Sequence, residues 1–176
     1  KIRFMKKLFF ILISIIVAIN INAQNWTIKQ MKDKFGDNAS GCYYMNTIAK
    51  GSFSNSATIK DNLIVSFSYL GSFRLELLEY GSNLATFENG EFGVLDVKDQ
   101  DGEVYHILVK QKNNYLEIEE KKYVDGLLAL LHVSTNLKCY YEEKTEYSKS
   151  TYNFTINCIG FAKCAQRYID VLRKKE

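Results

Sequence analysis

Thr151-Tyr152-Asn153-Phe154-Thr155-Ile156-Asn157-Cys158-Ile159 alternates without a break. Tyr152, Phe154, Ile156 and Cys158 share one side, and Asn153, Thr155 and Asn157 share the other. Successive side chains of a strand leave opposite faces, so a period of two predicts a half-buried β-strand. Gly160 ends the run, and the period then changes. Phe161, Ala165, Tyr168, Ile169 and Leu172 form one stripe, which predicts a helix over 161–173.

The same alternation recurs upstream. Leu63, Val65, Phe67 and Tyr69 lie on one face, and so do Phe73, Leu75 and Leu77 after a turn at Leu70-Gly71-Ser72. Val94–Lys98 and Glu103–Lys110 flank the hairpin turn Asp99-Gln100-Asp101-Gly102. Tyr115–Glu119 follows a turn at Lys112-Asn113-Asn114, and Leu137–Glu143 precedes the opening stretch. Near the front, Trp26 and Ile28 suggest a first strand, Gly36-Asp37-Asn38 a turn, and Tyr43–Ser56 one or two strands broken at Gly51. Asp125 is placed to cap a short helix over Gly126–Leu131 that buries Leu127, Leu128, Leu130 and Leu131, with a continuous buried strand as the competing reading. Many short strands at this spacing predict a mainly β fold: an antiparallel β-sandwich or open barrel with a short internal helix and a C-terminal helix.

The chain of 176 residues begins with a different pattern. Met5-Lys6-Lys7 precedes an apolar run from Leu8 to Ile19, then Asn20-Ile21-Asn22-Ala23. A cationic head, an apolar middle and a small residue at the cut predict a secretory signal over 1–23, with the natural start at Met5. The run is shorter than the roughly 20 residues a spanning helix needs, so a retained anchor is the weaker reading and no stable membrane insertion is expected after cleavage. Residues 24–176 then form a single domain, periplasmic or extracellular. They carry 19 basic against 20 acidic side chains, so the net charge of +3 resides in the leader. Without a cationic excess, nucleic acid is not an expected partner. No Pro occurs, which leaves the turns to Gly, Asn, Ser and Asp.

Four cysteines in an exported chain allow three pairings. A hairpin turning near Ser148 would bring Cys139 opposite Cys158, leaving Cys42 to Cys164 as the second bridge; four buried free thiols are the alternative. No Cys-x-x-Cys pair occurs and His106 and His132 lie on separate elements, so no metal or cofactor is expected. Aligning Gly102 with the glycine of a calcium loop puts Val97 and Leu108 at ligand positions, which excludes that loop. No Gly-x-Ser-x-Gly elbow is present. Glu117 and Glu119 share a strand face but read as solvated surface. Tyr43, Tyr44, Tyr140 and Tyr147 are the candidate interaction surface, because tyrosine offers a rigid apolar ring with a polar tip.

Phe53-Ser54-Asn55-Ser56-Ala57-Thr58 and Tyr152–Phe161 resemble segments of small secreted and envelope β-sandwich proteins of Bacteroidetes-type bacteria, and so does the element order from Asp125 onward. The resemblance implies a fold and a compartment and supplies no catalytic residue. The expected function is an exported, non-enzymatic module that binds a protein or glycan partner. The alternative is a small secreted hydrolase with a dispersed site near His106 or His132.

Overall fold

The computed structural model describes residues 26–174. The expected secretory signal lies outside the described residues.

The chain is mainly β. Its strands are β1 (Thr27–Lys32), β2 (Asn38–Ser54), β3 (Asp61–Tyr69), β4 (Phe73–Glu79), β5 (Asn83–Leu84), β6 (Phe92–Lys98), β7 (Val104–Lys112), β8 (Tyr115–Ile118), β9 (Asn136–Lys144) and β10 (Lys149–Asn157). Among the described residues, two helices interrupt and end the series: α1 (Lys121–Val133) and α2 (Phe161–Arg173). The antiparallel order β2-β10-β9-β6-β7-β8-β4-β3 returns to β2, because β3 also pairs with β2. The sheet therefore closes into an eight-stranded barrel instead of splitting into a sandwich or staying open. Closure pairs most of the edges that an open sheet would expose, although β8 meets β7 only over Lys110–Lys112. An eight-stranded barrel is just wide enough for side chains to fill it. Here Phe53, Leu63, Val65, Phe67, Leu75 and Val109 are among those that do, all fully buried.

β2 is the strand that makes closure possible. Residues 45–53 pair with β3 along one edge. Along the other edge, residues 50–54 pair with β10 and residues 38–46 pair with β1. One strand of 17 residues thus serves three neighbours. Gly51 does not break it, contrary to the sequence reading. It faces Phe154, and a Cβ at this position would lie 1.9 Å from the Asn153 carbonyl oxygen. The missing side chain lets β10 approach closely enough to pair.

The two ends of the barrel are closed differently. At one end, α1 packs against β9 and α2 packs against β1, β2 and α1. Trp26 fills the seam between β10 and β1; its Nε1 donates to the Asn157 carbonyl at 2.8 Å, and its ring meets Phe67 and Phe161 edge-on. At the other end, the segment after β5 folds across the opening. Phe87 N–H donates to Asn113 O and Gly90 N–H to Gln111 O, which sets the Phe87 ring against Tyr141 and Tyr152.

The helix at 161–173 forms as the stripe predicts, although Cys164 is buried with Phe161 and Tyr168 while Ile169 and Leu172 stay partly exposed. α1 is longer than expected. It starts after Glu120, and Asp125 pairs with Lys121 on its surface instead of capping it.

The four cysteines are free thiols. The β9–β10 turn is Thr145–Ser148, two residues earlier than the sequence suggested. That register places Cys139 opposite Phe154, and the Cys158 N–H bonds to Thr135 O. Cys139 and Cys158 therefore cannot face one another as a directly opposed pair. Cys42 is exposed and Cys164 buried, and neither is bridged in this structure. Burial pushes the Cys158 thiol up to about 12 and the Cys139 thiol further still.

Candidate functional site

The outer face of the barrel carries a groove of about 560 Å³ where the β1–β2 ribbon meets β3, β4 and β8. Alternation explains its chemistry. Interior positions of these strands are apolar, so the outward positions are free to be polar. They are Ser66 and Ser68 on β3, Arg74 and Glu76 on β4, and Tyr115 and Glu117 on β8. β1 adds Lys29 and Lys32 as a cationic wall, and β2 adds Tyr44 and Asn46.

Asn46 is the deepest polar group and is almost fully buried. Its Nδ2 donates to Ser66 Oγ and to the Phe67 carbonyl, both at 3.3 Å. The Phe67 carbonyl accepts only, which fixes the amide orientation and turns Oδ1 the other way. That oxygen accepts from no protein group among the described residues. The Arg74 guanidinium lies 3.8 Å from the Tyr115 ring centroid and pairs with Glu76 at 2.6 Å. Glu117 accepts from Ser72 Oγ at 3.2 Å and faces Lys112 Nζ at 3.6 Å. Both groove carboxylates are thus matched. Lys29 and Lys32 take part in no ion pair among the described residues. The groove therefore offers a recessed acceptor, serine hydroxyls, aromatic rings and two free cations.

The tyrosines singled out from sequence do not form one surface. Tyr44 lines the groove. Tyr43 points inward, packs against the core, and accepts at its carbonyl from Tyr168 Oη at 3.0 Å. Tyr140 lies outside on β9 and donates to Glu142 at 2.6 Å, which holds its phenol up to about 12 and draws Glu142 down. Tyr147 sits exposed at the β9–β10 turn. The serines and Asn46 were missed because they are scattered over separate strands. The available signal was a run of small hydroxyl side chains at outward β3 positions, where long charged ones are the common choice.

The histidines are also apart. His106 Nδ1 lies 2.7 Å from Asp96 Oδ1 on the outer wall, and the imidazole is mostly exposed. Asp96 is its one side-chain hydrogen-bond partner among the described residues, with no hydroxyl or thiol in reach to serve as nucleophile. His132 ends α1 with its ring edge-on to Phe161, centroids 5.0 Å apart. Among the described residues, no three His, Cys, Asp or Glu side chains converge on a metal position. No helix among them is long and apolar enough to cross a membrane.

No protein-family model, curated protein or solved structure matches this chain.

Proposed function

We propose that this chain is an exported binding module of the bacterial envelope or extracellular space, non-enzymatic, with the outer groove as its contact surface for a protein or glycan. The observation that carries the reading is the recessed Asn46 amide, whose Oδ1 stands unmatched beside Lys29 and Lys32. Asn46 lines the groove, and a ligand hydroxyl or amide N–H can replace water as the donor to this oxygen, a hydrogen bond worth about 0.5–1.5 kcal/mol net. The leader-like start and the resemblance to small envelope proteins support export. Binding is favoured over hydrolysis because the histidine with a carboxylate partner, His106, has no nucleophile beside it.

The test is capture from native envelope fractions on the immobilised chain, comparing wild type with the double variant Lys29→Glu, Lys32→Glu and with His106→Ala. A specific partner should be held by wild type and by His106→Ala, and at least tenfold more weakly by the double variant. Equal retention by all three would remove the groove from the proposal. A hydrolytic activity lost in His106→Ala would replace the binding reading with the enzymatic one.

A further inference from the structure

A second feature lies further round the barrel, where the wall between β7 and β8 is incomplete. β7 runs from Val104 to Lys112, yet β8 meets it only at Lys110, Gln111 and Lys112. The Asp99 N–H to Glu103 O bond, with the pairing of β6 and β7, fixes which way each residue turns. Odd-numbered residues from 103 to 111 direct their N–H and C=O toward β6, and even-numbered ones direct theirs away, because these groups alternate along a strand. The main-chain groups of Val104, His106 and Leu108 therefore point beyond the end of β8. No backbone or side-chain partner meets them among the described residues.

α1 crosses this opening without sealing it. A groove of about 690 Å³ runs between the helix and the bare edge, walled by Tyr105 and Ile107 on one side and Leu127, Leu130 and Val133 on the other. Val104 and Val133 leave large apolar surface uncovered at its rim. Gly126 lies on the helical wall, and a Cβ placed there meets nothing within 4 Å. The glycine weakens the helix relative to alanine and keeps the groove wide.

We propose that this edge takes an extended segment of another polypeptide as an added strand. The class of occupant follows from the edge. Val104 to Leu108 presents N–H and C=O groups in pairs spaced two residues apart, about 7 Å. A polypeptide in extended form supplies the complementary ladder. Side-chain preference follows from the pleat. Residues that bond to Val104, His106 and Leu108 carry side chains to the outer, solvated face. The residues between them, opposite Tyr105 and Ile107, enter the apolar groove. The recognised segment is therefore about five residues long and alternates aliphatic with polar side chains. This surface is independent of the outer groove at β1–β4.

The probe is a capped hexapeptide of alternating threonine and valine, compared with the same peptide N-methylated at its three threonines. N-methylation removes the donors that would face β7 and leaves the valines intact. Binding should slow amide hydrogen exchange at His106 and Leu108 at least tenfold. It should weaken at least tenfold on N-methylation and likewise in Gly126→Leu, which fills the groove while favouring the helix. Three results would overturn the proposal: no slowing at millimolar peptide, equal binding of the N-methylated peptide, or equal binding by Gly126→Leu. A concentration-dependent dimer of the chain that already protects both amides would overturn it too, by assigning the edge to a second copy.

Discussion

The two ends of the barrel solve one problem with different chemistry. The helical end is closed by apolar surface: Trp26, Phe67, Phe73, Phe161 and the buried leucines of α1 meet with few polar atoms among them. The loop-covered end is closed by tyrosines that carry their hydroxyls inward. Tyr141 Oη accepts from Gln111 Nε2 at 2.7 Å, and Tyr152 Oη donates to Glu79 at 2.8 Å. Burial holds the Tyr141 phenol at about 12 and pushes Tyr152 higher, with Glu79 adding to the effect. An apolar plug tolerates adjustment, since dispersion and area burial are non-directional. A buried polar network does not, since each member depends on its partner.

The largest effect should come from the helical end. Trp26 covers the seam where β10 stops and β1 begins, and its single hydrogen bond ties the first strand to Asn157. Trp26→Ala opens a cavity there and should destabilise the fold by about 3–5 kcal/mol. Denaturant unfolding followed by circular dichroism measures it, because the replaced residue is the only tryptophan. A loss below about 1 kcal/mol would mean that the seam is closed without the indole.

The loop-covered end breaks more selectively. Tyr141→Phe keeps the ring that fits against Gly93, where a Cβ would come within 2.7 Å of the phenol oxygen. It removes the acceptor for the buried Gln111 amide, which should cost about 1–3 kcal/mol. Adding Gln111→Met to Tyr141→Phe removes both partners and should recover most of that loss, because an unmatched polar group costs more than a deleted pair. Equal stability of the single and double variants would show that Gln111 finds another partner.

The contrast also explains what could be read from the sequence. Strands came through clearly, since Leu63–Tyr69 and Thr151–Asn157 alternate strictly and a half-buried strand has no other pattern. The last helix was legible to the residue, because Gly160 and a change of period mark its start. Barrel closure was not legible. It depends on β3 reaching back to β2, and nothing in the residues of β2 states that both edges are used. The thiol pairing failed for a related reason: a turn displaced by two residues slides Cys158 four residues along the ladder from the position facing Cys139. The outer groove was half visible. Tyr44 was named, but its role depends on Ser66, Arg74 and Tyr115, which three other strands deliver. The cover at the far end was silent as well, for Ala85 and Phe87 sit in a stretch with no period to detect.

The smallest effect probes the polar end by pH. Glu143 stands half-buried at that opening, and burial first, then the carboxylates of Glu79 and Glu88, raise its carboxyl above the usual range. The raised value means that the folded state prefers the protonated form. The stability this site contributes is complete below the unfolded carboxylate value and is lost as pH rises through the folded one. Glu143→Gln is nearly isosteric and keeps the neutral state at every pH. At neutral pH the variant should therefore exceed wild type by less than about 1 kcal/mol, the limit set by solvent screening of a half-exposed group. The difference should vanish below about pH 4, where both side chains are uncharged. Paired chemical denaturation at the two pH values measures this. A wild type more stable than the variant at neutral pH would show that the charged carboxylate is favoured, and would place a cation at an opening now read as a cluster of mutually repelling acids.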